Sequence, residues 1–142
     1  MNNTLRLKKK LFIYFLVALL AGCKATIALY DQYAYTQATS LKVDLQNLAL
    51  ESATVSYDSA KADIHKTNIE LQKAYEYNKG RDDNSISTQQ YAILISDAHF
   101  YKSFLKDWQA KGKESATMAE NISEQIGELM DQIIKLENGK NR

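Results

Sequence analysis

The chain has 142 residues, of which 45% are hydrophobic and 25% are charged, and its 18 lysine and arginine residues nearly balance 17 acidic residues. Four of those cations, Arg6, Lys8, Lys9 and Lys10, lie at the N-terminus, so residues 23–142 carry 14 cations against 17 acids, a formal charge of −3. Nowhere in residues 23–142 does the sequence combine dense lysine and arginine with stacking aromatic residues, which argues against a nucleic-acid partner. The length permits one domain with a hydrophobic core. The lack of proline and the scarcity of glycine favour long helices.

The N-terminus has the pattern of an export signal. Its four cations precede an apolar segment, residues 11–21, which is about half the roughly 20 residues that a helix needs to cross a bilayer. A basic region, a short apolar region and then small residues are typical of a signal peptide. The segment ends in Leu20-Ala21-Gly22-Cys23, which contains the single cysteine of the chain. We therefore predict a signal peptide over residues 1–22 and a single helical domain over residues 23–142.

The Leu20-Ala21-Gly22-Cys23 tetrad resembles the lipobox of bacterial lipoproteins. The resemblance implies cleavage between Gly22 and Cys23, a diacylglycerol on the Cys23 thiol, and a fatty acid such as palmitate on the new amino group. Two or three acyl chains are enough for stable anchoring, whereas a single chain binds a membrane only reversibly. The alternative is an incidental cysteine beside an ordinary secretory signal.

A lipid on Cys23 would hold the protein at a membrane of the cell envelope. The next residue is Lys24 and not the aspartate that retains enterobacterial lipoproteins at the inner membrane, which favours the outer membrane where the host has one. No flexible Ser/Gly-rich spacer follows Lys24, so we expect the folded body close to the headgroups. Lipidation would also leave no thiol for a disulfide, so packing must supply the stability.

The first helical region carries two apolar stripes. One comprises Leu41, Leu45, Leu48, Ser52 and Val55, and the other comprises Tyr57, Ala60, Ile64, Thr67, Leu71 and Ala74. The two stripes are about two residues out of phase, so one straight helix cannot present both on one face. The sequence therefore predicts a kink or break near residues 54–58, with Ser56 or Asp58 as the N-cap of the second part.

Two more helices are predicted after a polar connection at residues 81–86. Gly80 is expected to end the preceding helix in the left-handed conformation, and Ser87 and Gln90 have the spacing of a capping box. Gly112 should end the third helix and Ser115 should cap the last. The aromatic face of the third helix comprises Tyr91, Leu94, Ile95, Ala98, Tyr101, Leu105 and Trp108, with Phe100 and Phe104 beside it. The stripe of the last helix comprises Met118, Ile122, Ile126, Leu129, Ile133 and Leu136.

These elements predict an all-α fold, an antiparallel bundle of three to four helices. Gly139 should end the last helix, and Lys140, Asn141 and Arg142 should fray. The stripe of the last helix is shorter than three heptads, which favours packing within one chain over self-association. A monomer is therefore slightly favoured, and the oligomeric state stays open.

Tyrosines near the predicted lipid site form the candidate interaction surface. They are Tyr30, Tyr33, Tyr35, Tyr75 and Tyr77. Exposed tyrosines are common at protein interfaces and at membrane surfaces, and the alternative is that these rings belong to the core. The segments around them, residues 30–35 and 74–81, are similar to small lipoproteins that have no assigned activity.

No local motif points to catalysis or to a cofactor. His65 and His99 lie in predicted helices without a ligand set. Asp82 and Asp83 lack the spacing of a calcium loop and are expected to be solvated turn residues. The sequence therefore predicts no enzymatic activity, no catalytic residue, no metal and no cofactor.

Two functions remain open. The first is a lipid-anchored envelope protein with a structural or protein-interaction role, whose partner would be an envelope protein or the cell wall. An inhibitor of another envelope machine would have the same sequence features. The second is a small-ligand or lipid-binding helical module at the membrane, which would need an apolar cavity with a few polar groups.

Overall fold

The structure, a computed structural model, describes residues 27–96 and 99–140 as a set of α-helices. The helices are α1 (Gln32–Glu51), α2 (Tyr57–Lys79), α3 (Ser85–Ile95), α4 (Phe100–Lys111) and α5 (Ala116–Asn138). No strand occurs in these residues. Helices α3 and α4 are the two arms of one bent helix, so the bundle has four helices. The predicted all-α bundle is confirmed.

Helix α1 lies between its two neighbours and is antiparallel to both. Its most extensive packing is against α5, where Lys42 forms a 2.6 Å ion pair with Asp131 and Gln46 donates a 3.1 Å hydrogen bond to the Ser123 carbonyl. On the other side, the rings of Tyr33 and Tyr77 lie 4.7 Å apart across α1 and α2. The bent helix packs mainly against α2 through its first arm.

One hydrophobic core joins all five segments. Its largest members are Leu41, Leu45, Leu48, Ile64, Leu71, Tyr91, Leu94, Tyr101, Phe104, Trp108, Ile126, Met130 and Ile133. The three-four spacing of the stripes in α1 and α2 correctly placed their buried residues, because such spacing keeps side chains on one face of a helix. The predicted third helix, which is α3 and α4 in the structure, belongs to the core as predicted. In α4, the rings of Trp108 and Phe104 stack at 5.7 Å.

The predicted break between the first two helices is confirmed. Helix α1 ends at Glu51, and α2 begins after Ser56, whose hydroxyl accepts a 3.3 Å hydrogen bond from the Ser59 amide. Ser56 is therefore the N-cap, and Asp58 lies inside the first turn. The break also allows two out-of-phase stripes to face the same core.

The loop between α1 and α2 is hydrogen-bonded to the end of α4 and to the loop that follows it. The Trp108 indole donates a 3.2 Å hydrogen bond to the Val55 carbonyl, and the Tyr57 amide donates a 3.0 Å bond to the Gly112 carbonyl. The Glu114 amide donates in turn to the Ser52 carbonyl at 2.9 Å. Gly112 ends α4 with a φ of 82°, a conformation that favours glycine. We call this the far end of the bundle.

Two predictions at the start of α3 are wrong. Gly80 has a φ of −78°, so it is not left-handed; Asp83 adopts that conformation instead, with a φ of 54°. Helix α3 begins at Ser85 and not after Ser87, and the capping box does not form. The physical reason is tertiary, because Asn84 and Ser87 are buried and bind other parts of the chain.

The third predicted helix bends in the structure. Ser96 and His99 both have extended backbone, which separates α3 from α4, and Ala98 lies outside the described residues.

The buried face of α5 is rotated relative to the stripe predicted for the last helix. Met118, which belonged to that stripe, is 38% exposed. The buried residues are Ala119, Ile122, Ser123, Ile126, Gly127, Met130, Ile133 and Glu137. Gly127 leaves room for a side chain of α1, because a Cβ built at Gly127 would lie 2.6 Å from the Gln46 side-chain amide.

The core assignment of α1 can be tested with two positions on the same helix. Leu45 is fully buried, whereas Val43 is 55% exposed. Leu45→Ala should lower the free energy of unfolding by about 2–5 kcal/mol, because it removes buried methyl groups and leaves a cavity. Val43→Ala should change it by less than about 0.5 kcal/mol. Urea unfolding followed by circular dichroism measures both, and equal effects would contradict the assignment.

Candidate functional site

The end of the bundle opposite the far end contains a buried polar network that the sequence did not reveal. It consists of Asp31, Tyr77, Asn78, Arg81, Asn84, Ser87, Glu137 and Lys140. We call it the terminal network, because it joins the first and last described segments of the chain. It is the described part of the molecule in which ionisable groups are most deeply buried together.

The centre of the terminal network is the ion pair between Glu137 and Lys140. The side chains are 2% and 0% exposed, and the Lys140 ammonium contacts the Glu137 Oε2 atom directly. The same ammonium donates to Asn84 Oδ1 at 2.5 Å and to Ser87 Oγ at 3.4 Å. Burial of an unpaired ammonium is very unfavourable, so each of these acceptors is needed to keep Lys140 inside. The prediction that Lys140 frays is therefore wrong.

Arg81 attaches the N-terminal segment to the other carboxylate oxygen of Glu137. Its Nη1 atom donates to Glu137 Oε1 at 3.0 Å, and its Nη2 atom donates to the Leu29 carbonyl. The Asp31 amide also donates to Glu137 Oε1, at 3.2 Å. A further hydrogen bond of 3.1 Å joins the Ala28 amide to the Asp83 carbonyl. The segment that precedes α1 is thus held at several points.

Asn78 and Asn84 support the loop between α2 and α3. The Asn84 amide group donates to Asn78 Oδ1 at 2.8 Å and to the Asn78 carbonyl at 3.1 Å, while the Asn78 amide group donates to the Ala74 carbonyl at 2.9 Å. Both asparagines are buried. Because the Asn84 side chain is used in this way, it makes no capping bond to α3.

Asp31 caps α1 and connects it to α2. Its Oδ1 atom accepts from the Ala34 amide at 2.9 Å, and its Oδ2 atom accepts from the Tyr77 hydroxyl at 2.6 Å. Burial alone would raise the pKa of Asp31, but the hydrogen bonds from Tyr77 and Ala34 and the charge of Arg81 bring that pKa below its usual value. The hydrogen bond to Asp31, together with burial, raises the pKa of Tyr77.

Tyr91 lies in the core beside this network. Its hydroxyl is buried and has no hydrogen-bond partner among the described residues. Burial, with a contribution from the Glu137 charge, raises the pKa of Tyr91. A buried hydroxyl that makes no hydrogen bond is unfavourable for stability, so Tyr91 contributes to the core through its ring and not through its hydroxyl.

The structure places the five predicted tyrosines in three different settings. Tyr33 and Tyr77 are 55% and 37% exposed and contact each other edge to face. The rings of Tyr30 and Tyr35 lie 6.3 Å apart and are partly buried. Tyr75 packs against the core, with the Lys79 ammonium 5.5 Å from its ring centroid. The exposed part of the predicted surface is therefore the pair formed by Tyr33 and Tyr77.

The remaining candidate residues show no assembled site within residues 27–96 and 99–140. His65 and His99 are exposed, and no group of three or more potential metal ligands is found there. Asp82 and Asp83 lie in the exposed loop before α3. Gly22 and Cys23, the predicted cleavage and lipidation residues, lie outside the described residues.

Some surface depressions of the described residues are lined mainly by polar groups. One between α1 and α2 is lined by Asp44, Asn47, Glu51, Asp63, Lys66 and Glu70, together with Leu48 and Thr67. The aromatic residues of α4 pack on one another and on Tyr57, whose ring lies 5.7 Å from that of Trp108. None of the helices in the described part of the chain has the length and apolar character needed to span a bilayer.

No protein-family profile, curated protein or solved structure matches this chain.

The terminal network had partial signals in the sequence. Asn78 continues the spacing of Leu71 and Ala74, and Glu137 continues that of Met130 and Ile133, so both positions fall on buried faces. A buried glutamate needs a cation, and Lys140 lies three residues further along the chain, just past the end of α5 and within reach. Arg81 and Asp31 are distant in sequence and carried no comparable signal.

The burial of Lys140 can be tested against a matched lysine on the same helix end. Lys140→Met should lower the free energy of unfolding by about 3 kcal/mol, because it leaves the buried Glu137 carboxylate without its ammonium partner. Lys135→Met should change it by less than about 0.5 kcal/mol, because Lys135 is exposed. Adding Glu137→Gln to Lys140→Met should recover part of the loss. Equal urea midpoints for the two single variants would show that Lys140 frays after all.

The terminal network should also make stability depend on pH. The folded-state pKa of Asp31 lies below its usual value of 3.8, so the stabilisation is present above about pH 3.8 and is lost as the pH falls through the folded-state pKa. Asp31→Asn should therefore lower the melting temperature at pH 7, and the difference from the wild type should shrink near pH 3. Asp82→Asn, at an exposed position, is the control. A difference that stays constant from pH 7 to pH 3 would exclude Asp31 as the titrating group.

Proposed function

We propose that this protein is a lipid-anchored component of a bacterial cell envelope with a structural or protein-interaction role. The observation that carries the proposal is the Leu20-Ala21-Gly22-Cys23 tetrad at the end of a basic and then apolar N-terminal segment. That order matches the requirements of export followed by lipid attachment. With Lys24 after the cysteine, the outer membrane is the favoured location where the host has one.

The way the folded domain begins supports this anchoring. Ile27, the first described residue, lies only four residues after Cys23. Four residues of extended chain reach at most about 14 Å. From Ala28 onward the chain is hydrogen-bonded to the loop before α3 and to Glu137. A lipid on Cys23 would therefore be connected to the bundle by a short tether, and the bundle would be held at the membrane surface.

The distribution of ionisable groups favours an interaction role over catalysis. The buried Glu137 carboxylate and the buried Lys140 ammonium neutralise each other, and both histidines are exposed, His65 in α2 and His99 just before α4. The close packing of the aromatic rings of α4 favours a rigid body with an external contact surface over an internal ligand cavity. The exposed pair of Tyr33 and Tyr77 is the candidate contact, because tyrosine is enriched in protein interfaces.

The anchoring is tested by comparing Cys23→Ala with the wild type in bacteria fed an alkyne-labelled fatty acid. We expect the wild type to be labelled, to fractionate with membranes, and to have the mass of residues 23–142 plus acyl chains. Cys23→Ala should be unlabelled and should not be cleaved after Gly22. Thr26→Ala, which leaves the tetrad intact, is the matched control and should behave like the wild type. A free thiol on Cys23 in a protein that fractionates away from membranes would refute the proposal.

A further inference from the structure

The end of the bundle that contains the terminal network also exposes a group of apolar side chains. Ile27, Leu29 and Ile86 are 40%, 70% and 56% exposed. Ile27 and Ile86 line one depression together with Leu136, and Ile27 and Leu29 line another that shares Asp83 with the first. We call Ile27, Leu29 and Ile86 the apolar tip.

The orientation of two of these side chains is imposed by the backbone. Residues 27–30 precede α1 and are not helical, and Ala28 is buried between the exposed Ile27 and Leu29. Holding Ala28 against the bundle leaves its two neighbours on the outside. The hydrogen bonds from Ala28 to Asp83 and from Arg81 to the Leu29 carbonyl hold the segment in this position. The exposure of the tip is thus built into the fold.

The tip is close in sequence to the predicted lipid site, so the surface that it would contact is a membrane. The tip begins at Ile27, four residues after Cys23, so a lipid on that cysteine would bring the membrane surface to within about 14 Å of this end of the bundle. The far end lies at the other end of helices α1 and α2, which are 20 and 23 residues long and rise about 30 Å. Only one end of the bundle can therefore rest on the membrane that holds the anchor.

We propose that the apolar tip inserts shallowly into the lipid surface and that the bundle stands on the membrane with its far end pointing away. The proposal rests on the lipid anchor of the proposed function. The tip supplies no independent strong binding, because three side chains bury little area. The tether makes their insertion effective, since it keeps the tip at a high local lipid concentration.

The charges around the tip set the depth of this contact. Asp82 and Asp83 are exposed in the adjacent loop, and carboxylates are costly to place in hydrocarbon. They would keep the loop at the level of the headgroups, while Ile27, Leu29 and Ile86 reach the acyl boundary. Among the described cations near the tip, Arg81 and Lys140 are engaged with Glu137 and Lys79 pairs with Glu76, so attraction to anionic lipid contributes little. The contact should therefore depend weakly on salt and on headgroup charge.

The exposed tyrosine pair fits the same orientation. Tyr33 is in the first turn of α1 and Tyr77 is in the last turn of α2, so both rings lie about one helical turn from the tip. Aromatic rings with a polar end are favoured at the boundary between headgroups and hydrocarbon. This placement assigns the pair to the membrane-proximal part of the bundle, where a partner would have to approach along the membrane.

The orientation can be measured with single fluorescent labels. Cys23 is the only cysteine in the chain, so in the acylated protein an introduced cysteine is the only free thiol. Leu29→Cys and Ile86→Cys place a label at the tip, and Thr117→Cys places it at an exposed position in the first turn of α5, at the far end. Each full-length chain is produced in bacteria, purified with its acyl chains, labelled with an environment-sensitive fluorophore and reconstituted into phosphatidylcholine vesicles that contain a lipid-borne quencher.

We expect quenching at positions 29 and 86 to be several-fold stronger than at position 117, and to persist through a roughly tenfold increase in salt. Equal quenching at the three positions, or stronger quenching at 117, in protein whose intact mass includes acyl chains would overturn the orientation while the anchor stands. Quenching at the tip that disappears in high salt would overturn the apolar contact in favour of a charged one. A mass without acyl chains would refute the anchor itself, and the orientation with it. Circular dichroism of each labelled variant verifies that the bundle is folded.

Discussion

The end of the bundle that contains the terminal network is arranged around the ion pairs and hydrogen bonds of the buried Glu137 carboxylate. One of its oxygens meets the Lys140 ammonium, and the other accepts from Arg81 and from the Asp31 amide. A single side chain thereby joins the end of α5 to the loop after α2 and to the start of α1. An apolar side chain at this position could fill the same volume, but it could not select these three donors. We infer that the ion pair contributes more to a unique arrangement of the chain ends than to net stability.

The two ends of the bundle are held together by different sets of interactions. At the far end, Trp108 and the backbone groups of Tyr57, Gly112 and Glu114 connect two loops through neutral hydrogen bonds, and the buried Glu114 carboxylate pairs with the half-exposed Lys111 at 3.2 Å. At the other end, both members of an ion pair, Glu137 and Lys140, are buried. A short tether from Cys23 would enter at this second end, so any force on the anchor would pass into hydrogen bonds that connect three segments. The same network that orders the chain ends would then fix the domain relative to the membrane.

The region between the ends is a conventional helical core with one close approach. Helix α5 turns Ser123 and Gly127 toward α1, and Gln46 fills the space beside Gly127. A larger side chain at position 127 would occupy the space that Gln46 fills. The buried face of α5 therefore includes Ser123 and Gly127, whereas Met118, which belonged to the predicted stripe, is 38% exposed.

The sequence alone determined the helical class, the division into helices and most of the core. Three-four spacing fixes which side of a helix is apolar, and the phase difference between the stripes around Leu48 and Ile64 predicted the break that ends at Ser56. Lipid attachment at Cys23 is likewise predicted from a local pattern, the resemblance of Leu20-Ala21-Gly22-Cys23 to a lipobox. These features depend on residues that are close in the chain.

Only the tertiary structure decided the terminal network and the exposure of the tip. Asp31, Arg81 and Glu137 are separated by 50 or more residues, and no local pattern indicates that they meet. Local preference even pointed the wrong way, because Lys140 was expected to fray and Ser87 was expected to cap a helix; Asn141 and Arg142 lie outside the described residues. The acceptors that the fold supplies to the Lys140 ammonium, Asn84, Ser87 and Glu137, compensate the cost of burying it and outweigh both local preferences.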